Sequence, residues 1–210
     1  MRLPYAPNSP PRGATASVSE IYTRIAARRA PRPLIPLDLT LLHSPPVADG
    51  WNTFLGAIRS KTTLDNGLLE LAVCRVAVLN GAIYEWNAHA PLALRGGISG
   101  NGLRACRTVE EFVEEKKGEG WYTDGLSKAG WAVMAYTDQM TKQIKVSDKV
   151  FAGLGEAGLS DQEIVELTAG VGAYNCVSRF LVALDVGENN DKEMKSVEEL
   201  EKTEEERQKS

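Results

Sequence analysis

The sequence predicts an all-α fold with a central antiparallel hairpin of two helices, and three observations support this prediction. Apolar residues recur at helical spacing through most of the chain. Residues that commonly cap helices stand before these segments, and glycine or proline follows several of them. No run of alternating apolar and polar residues with turn signals indicates a strand.

The N-terminal part of the chain predicts an extended arm that is interrupted by one helix. Seven of the ten prolines precede residue 37, and this density disfavours a core element there. The segment Ser17–Glu20 has the pattern of a capping box and opens a helix that Pro31 ends. A further helix is expected after Ser44, its predicted cap, with Pro45 in the first turn.

The centre of the chain predicts two helices joined by a short turn. Thr63 and Asp65 are alternative caps of the first helix, which continues to Asn80. The second helix covers Ile83–Arg95, and Pro91 inside it predicts a kink or a shortened helix. Because the connection is so short, we expect the two helices to pack antiparallel as a hairpin.

Four more helices are predicted after the hairpin. A short helix covers 108–117, and Ser127 and Ser147 cap the next two. The last begins with a capping box at Ser160–Glu163 and continues to about Val186.

Charge is concentrated at the C-terminal end of the chain. The protein has 24 basic and 28 acidic side chains, a net charge of −4, and the last 24 residues hold that whole imbalance. The remainder is neutral and has no overall field that would attract nucleic acid or an anionic membrane. The tail also has few apolar side chains, so we expect it to be disordered or a loosely held helix. The predicted organisation is an arm with one helix at 1–33, a helical domain at 34–187 and an acidic tail at 188–210.

Targeting signals and cysteine motifs are not evident in the sequence. The first twelve residues contain no continuous apolar stretch, and the most apolar segment, Leu68–Leu79, is too short to span a bilayer. Three cysteines without a Cys-x-x-Cys pair argue against a disulfide scaffold and a structural zinc site. The sequence therefore predicts a cytoplasmic protein that binds neither a membrane nor nucleic acid.

Candidate proton-transfer groups are few, because the chain has only two histidines. Glu85 lies four residues before His89, so both project from one helical face, and the hairpin brings Glu70 near that pair. These three side chains form a candidate acid–base site. Spacing by itself favours the alternative, an exposed Glu85–His89 pair without function. The sequence supports a metal site even less, because the third ligand, His43 or Glu70, is only assumed.

The segment Glu70–His89 resembles the core of the carboxymuconolactone decarboxylase-like proteins of the alkylhydroperoxidase D-like superfamily. The resemblance extends to Leu41–Pro45 and Ala173–Gly187, and the residue pattern is similar to fungal members. It implies the alkylhydroperoxidase D-like helical fold and a homo-oligomer, either a trimer or a hexamer.

The resemblance implies two different chemistries for the two branches of the family. In the peroxidase branch, the glutamate of the motif is followed by cysteines 12 and 15 positions later and by a histidine at 19. Counted from Glu70, this chain has Ala82, Glu85 and His89 there, so both thiols that peroxidase chemistry needs are missing. The decarboxylase branch implies loss of CO₂ without a cofactor. In that reaction His89 donates a proton, and Glu85 or Glu70 holds its tautomer.

Five side chains are candidates for contact with a substrate. Arg75 is a candidate anchor for a carboxylate, although a place on the helix surface is the more common role. His43 is expected either at the same site or at a helix entrance. Trp51, Trp86 and Tyr174 are candidate walls of an aromatic-sized pocket, although such residues more often belong to the core.

The sequence thus predicts a homo-oligomeric carboxy-lyase that needs neither a cofactor nor a metal. Its expected substrate is a carboxylated lactone or a related aromatic- or polyketide-derived acid. A peroxide-reducing antioxidant protein and a non-catalytic helical assembly module remain as alternatives. Burial of the Glu–His group in a pocket separates an enzyme from a module. Cys74 and Cys176 are expected to be inert apolar side chains, and Cys106 is expected to be the most reactive thiol.

Overall fold

The computed structural model describes residues 1–108, 110, 112 and 125–209 of the chain, and ten helices lie in those ranges. No strand occurs in them, so the all-α prediction is confirmed. The helix predicted at 108–117 lies almost wholly outside the described residues. The ten helices are α1 (Ala16–Arg29), α2 (Pro36–Leu41), α3 (Pro45–Ser60), α4 (Asn66–Leu79), α5 (Ile83–Arg95), α6 (Gly100–Thr108), α7 (Lys128–Lys142), α8 (Asp148–Glu156), α9 (Asp161–Leu184) and α10 (Val197–Lys209).

Helix α4 lies at the centre of the molecule. It contacts α5, α6, α7 and α9, and its side chains are buried on nearly every side, as expected for an apolar helix enclosed by others. The Asp65 carboxylate begins the helix by accepting a hydrogen bond from the backbone N–H of Leu68. This arrangement confirms Asp65, and not Thr63, as the cap.

Helices α4 and α5 form the predicted antiparallel hairpin. The turn between them contains Gly81, whose φ of +63° is a conformation that side chains rarely adopt. At the other end of the pair, a Cβ at Gly67 would overlap the carbonyl group of Gly96, so the close approach of the two helices requires glycine there. Pro91 lies inside α5 without shortening it. This hairpin sets Glu70 and His89 on facing helices.

Most of the predicted helix caps are confirmed, and two, Ser44 and Ser17, are wrong. Ser127, Ser147 and Ser160 each accept a backbone hydrogen bond as predicted, and Ser160 forms a full capping box with Glu163. Ser44 precedes α3, but its side chain makes no cap hydrogen bond.

The first helix begins earlier than predicted. Thr15 has an extended backbone and accepts a hydrogen bond from Val18, so Ser17 lies inside α1 and forms no capping box. Both Thr15 and Ser17 are good caps, and in the structure it is the Thr15 side chain that accepts the backbone hydrogen bond.

The C-terminal tail contains a docked helix, which corrects the expectation of disorder. Helix α10 packs on α5 and α6 with Val197 and Leu200 buried. Arg104 of α6 donates hydrogen bonds to Glu198 and Glu201 at 2.8 and 2.7 Å. The acidic residues therefore have basic partners on the domain, which composition alone does not reveal.

Helix α9 has 24 residues and is long and apolar enough to cross a membrane by length and composition alone. The prediction from the sequence concerned the shorter segment Leu68–Leu79 and did not consider α9. A core helix of a globular protein passes the same test, and α9 buries Leu167, Val171 and Tyr174 against α3, α4, α5 and α7.

Candidate active site

Three charged or titratable side chains from three helices meet beside the hairpin. Nδ1 of His89 on α5 lies 2.6 Å from Oε2 of Glu70 on α4. Arg59, near the end of α3, donates to Oε1 of Glu70 at 2.8 Å. The same guanidinium donates to the hydroxyl of Tyr174 on α9 at 2.8 Å, and the rings of Tyr174 and His89 meet edge to face. The Glu70 carboxylate therefore holds both the imidazole and the guanidinium in place.

The electrostatics of this cluster set the tautomer of His89. Burial by itself raises the pKa of Glu70, but the hydrogen bonds and charges of His89 and Arg59 outweigh it and lower that pKa. Burial lowers the pKa of His89 more than Glu70 raises it. Glu70 is therefore ionised and His89 neutral at neutral pH. Because the Glu70 carboxylate accepts a hydrogen bond from Nδ1–H, the proton of the neutral imidazole lies on Nδ1, and Nε2 keeps a free lone pair.

A cavity of about 260 Å³ adjoins this cluster. His89, Arg59 and Tyr174 form part of its wall, while Glu70 lies behind them. The remaining wall comes from α1 and the segment after it, and from α3, α5 and α9. It includes the apolar side chains Leu55 and Leu181. The imidazole therefore has a protein partner on one side and space for a small molecule on the other.

Arginines dominate the charge of this cavity, since Arg28, Arg29, Arg32 and Arg59 all line it. Arg29 holds the buried Asp38 with two hydrogen bonds, at 2.7 and 2.8 Å. Arg28 donates to Asn52 and lies 3.9 Å from Asp38. Burial lowers the pKa of Arg28, and the charge of Arg29 lowers it further. Four guanidinium groups thus meet two carboxyl groups, those of Asp38 and Glu70, so the cavity has a positive excess that suits an anion.

Glu85 lines the cavity, but the predicted hydrogen bond between Glu85 and His89 is not formed. Its side chain is 1% exposed, and neither carboxyl oxygen has a hydrogen-bond partner in the described parts of the chain. Burial raises its pKa well above the usual range. The prediction that Glu85 or Glu70 orients the imidazole is therefore resolved in favour of Glu70, because the hairpin turns His89 toward α4.

Two predicted site residues lie elsewhere. Arg75 is buried away from the cavity and binds Asp138 on α7, because α4 turns it to a different face from Glu70. His43 is exposed, and its Nε2 lies 2.6 Å from the carbonyl oxygen of Pro4 in the N-terminal arm. Neither residue lines the cavity of His89.

Of the three aromatic residues that were predicted to wall a pocket, two line this cavity and one does not. Trp51 and Tyr174 line the cavity, and the ring of Trp51 also packs on Phe180. Trp86 is fully buried and donates its indole N–H to the carbonyl of Lys195 in the tail. It is not part of the cavity wall, so Trp86 belongs to the core that receives the tail.

The burial of the cysteine thiols differs from the prediction. Cys74 is buried as expected, but Cys106 is also buried and Cys176 is exposed. Burial raises the pKa of Cys106 to about 12, so it is not a reactive thiol. The polar sequence around Cys106 suggested exposure, but α6 turns the side chain into the core.

The four arginines of the cavity are functional candidates that were not predicted from the sequence. Arg59 follows Trp51 and Leu55 at steps of four residues, so the spacing on α3 does place it on the same face as a predicted pocket residue. Arg28 and Arg29 end α1 as a basic pair, but nothing in their spacing indicates that they face α5. Within residues 1–108, 110, 112 and 125–209, no three His, Cys, Asp or Glu side chains are grouped as a metal site.

The helical hairpin, with a glutamate and a histidine paired across it, belongs to an alkylhydroperoxidase D-like helical fold. The sequence model of the Carboxymuconolactone decarboxylase family matches residues 45–116, a segment that contains both residues of the pair. The predicted resemblance to this family is therefore confirmed. A search of curated proteins finds no match to the chain.

Solved structures extend the likeness beyond the matched segment. A peroxidase-related protein from Ralstonia eutropha, described as an alkylhydroperoxidase AhpD core, has a TM-score of 0.66 at 17% identity, over 95% of this chain and 93% of its own. A peroxidase-related protein from Silicibacter has a TM-score of 0.64 at 12% identity, over 90% and 95%. A cysteine-to-alanine variant of the debrominase Bmp8 in complex with 2,3,4-tribromopyrrole has a TM-score of 0.61 at 15% identity, over 95% of this chain and 96% of its own. At these low sequence identities, the structural likeness establishes the fold alone.

Proposed function

We propose that this protein is a cofactor-independent carboxy-lyase that removes CO₂ from a small carboxylated substrate. The expected substrates are a carboxylated lactone or a related aromatic- or polyketide-derived acid. The observation that carries the proposal is the Glu70–His89 pair on the wall of a cavity with a positive excess. The family match supports the reaction class.

The arginines supply the substrate-binding part of the proposal. Arg32 lines the cavity with no paired carboxylate among the described residues, and Arg28 lies 3.9 Å from Asp38, whereas Arg29 and Arg59 hold their carboxylates at 2.7 and 2.8 Å. A bound carboxylate would receive charge-assisted hydrogen bonds from these groups. Trp51 and Tyr174 supply flat apolar surfaces for an unsaturated ring.

The chemistry needs one proton for each turnover. The bond between the ring carbon and its carboxylate breaks, CO₂ leaves, and the electron pair remains as a dienolate conjugated to the carbonyl oxygen. The anionic substrate favours a proton on Nε2 of His89, and the Glu70 carboxylate stabilises the resulting imidazolium. His89 gives this proton to carbon, and a solvent proton restores it.

The two alternative functions have less support. An assembly module needs no largely buried Glu–His pair on a cavity, whereas here the side chain of His89 is 14% exposed and bound to Glu70. Peroxide reduction needs thiols, and none of Cys74, Cys106 and Cys176 lines the cavity.

The test is CO₂ release from a panel of carboxylated unsaturated lactones and aromatic acids. His89→Ala is expected to lower turnover by about 10²–10⁴-fold, the usual contribution of general acid–base catalysis. His43→Ala is the matched control, because His43 lies outside the cavity, and it should keep full turnover. Peroxide consumption with a thiol reductant in place of CO₂ release would contradict the proposal.

A homo-oligomer, a trimer or a hexamer, remains part of the proposal. Phe54, Phe151 and Val165 are large apolar side chains that are at least half exposed in the single chain. Covering them with other subunits would remove apolar surface from water. Light scattering that gives a monomer near 23 kDa at micromolar concentration would contradict this part.

A further inference from the structure

Glu85 is a buried carboxyl group without a partner on the wall of the candidate active site. It lies one helical turn before His89 on α5, and both side chains line the same cavity. Its exposed fraction is 1%, and both of its oxygens are unpaired among the described residues. Leu55, Val177 and Leu181 make part of the same wall apolar.

The protonated form of Glu85 is the one that suits this environment. An ionised carboxylate that is buried without a hydrogen bond is strongly unfavourable, and protonation removes that penalty. Burial accordingly raises the pKa of Glu85 well above its usual range. At neutral pH the side chain is then a carboxylic acid with one O–H group that no described protein atom accepts.

Charged neighbours on every adjoining helix leave this conclusion unchanged. None of them forms a hydrogen bond with Glu85, so burial decides its protonation state. The titratable and charged groups around the cavity and Glu85 are Arg28 and Arg29 on α1, Arg32 after it, Asp38 on α2, Arg59 on α3, Glu70 and Cys74 on α4, Tyr84 and His89 on α5, and Tyr174 on α9.

We propose that Glu85 acts as a neutral hydrogen-bond donor to the oxyanion that develops on the substrate carbonyl, while His89 transfers the proton. This inference rests on the proposed decarboxylation. When the C–C bond to CO₂ breaks, negative charge moves to the carbonyl oxygen, and the O–H of Glu85 donates to that oxygen without losing its proton. A carboxylic acid that an apolar site keeps neutral is well suited to this task. Glu85 would thus be a catalytic residue with a role different from that of His89.

Two substitutions at Glu85 separate the role of a neutral hydrogen-bond donor from that of a space-filling side chain and from that of a group that gives up its proton. Glu85→Gln keeps a donor of similar shape, so its kcat should stay within about tenfold of the native value. Glu85→Leu removes the donor, and its kcat should fall by about 10²–10³-fold, as on loss of one oxyanion-hole donor. Glu205→Gln, the same change at an exposed position of α10, is the control. Circular dichroism and thermal melting of each variant establish that it is folded.

The other outcomes overturn the proposal. If Glu85→Leu keeps full kcat while folded, Glu85 only fills space. If Glu85→Gln is as inactive as Glu85→Leu, Glu85 gives up its proton and is not a permanent donor.

A spectroscopic measurement tests Glu85 without any turnover. The infrared difference spectrum between the native protein and Glu85→Gln should contain the carbonyl band of a protonated carboxylic acid at neutral pH. Addition of para-nitrophenolate, whose oxygen mimics a dienolate, should shift that band to lower frequency. Absence of the band, or a band that the phenolate leaves unmoved, overturns the inference. A band that shifts, in a protein that releases CO₂ from no acid tested, would instead contradict only the proposed function.

Discussion

Two arginine clusters adjoin helix α4, and they differ in how completely the protein satisfies them. Arg75 is 1% exposed and donates to both oxygens of Asp138, at 2.5 and 2.9 Å, and to the carbonyls of Cys106 and Glu110. The ring of Phe112 covers it at 4.9 Å. This cluster is closed, because every hydrogen-bonding nitrogen of the guanidinium has a protein partner.

The cluster around Glu70 is open by comparison. Arg59 and His89 have side chains that are 30% and 14% exposed, and both border the cavity. Glu70 and Arg75 are only five residues apart on α4, which places them on different helix faces. The comparison of these two clusters shows that a charged residue on an apolar helix does not by itself identify a functional site. The useful criterion is whether part of the hydrogen-bonding capacity faces a space that a ligand can enter.

Breaking the closed cluster should give the largest effect, and it should be an effect on stability. Arg75→Met leaves Asp138 buried without its partner, so we expect the free energy of unfolding to fall by about 3–5 kcal/mol. Urea denaturation measures this loss. Turnover for each folded molecule should be unchanged, and a specific loss of turnover would mean that the closed cluster also serves the site.

The corresponding change in the open cluster should affect activity more than stability. Arg59→Met removes the hydrogen bonds to Glu70 and Tyr174, so kcat/KM should fall by about 10- to 100-fold, the value of charge-assisted hydrogen bonds. Steady-state kinetics and denaturation on the same preparation test this prediction. If stability falls and kinetics do not change, the two clusters are equally structural.

The cavity arginines should contribute mainly to substrate binding. Arg28→Gln should raise KM by about tenfold, the equivalent of about 1.4 kcal/mol, because a guanidinium near the proposed carboxylate is lost. Arg24→Gln is the matched control, since Arg24 lies on the same helix but pairs with Asp49 at the surface. An equal rise of KM in both variants would show that only the overall charge matters.

The lowered pKa of His89 predicts a pH dependence of folding. Between the folded pKa and the unfolded value of about 6.5, the unfolded chain binds more protons, so stability must decrease as the pH falls below about 6.5. For one proton, the free energy of unfolding changes by at most about 1.4 kcal/mol per pH unit. The difference in the free energy of unfolding between the native protein and His89→Asn, followed as the pH falls from 7, measures this contribution. Parallel stability curves for the two proteins would contradict it.

The thiols should have the smallest effect on turnover. Replacement of Cys74, Cys106 and Cys176 together by alanine should leave turnover unchanged, because none of them lines the cavity. Burial raises the pKa of Cys74 well above its usual value, and a small loss of stability from its removal is expected. An inactive triple variant with an active His89→Ala would establish thiol chemistry in place of proton transfer.

Short-range features of the molecule could be predicted from the sequence alone. The caps at Asp65 and Ser160, the turn at Gly81 and the pairing of Glu70 with His89 all depend on residues close in the chain or on one hairpin. Helical periodicity and capping chemistry act over a few residues, so they can be read without knowing how the helices pack.

The remaining features depend on contacts between distant parts of the chain, and only the tertiary structure decided them. Packing of α1, α3 and α9 around the hairpin brings Arg28 and Arg59 to the cavity, and packing of α7 encloses Arg75. The tail is ordered by arginines of the domain, although its own composition favours disorder. Periodicity gives the buried face of a helix but not its neighbour on that face. The partners of a charged side chain therefore follow from the way the helices pack.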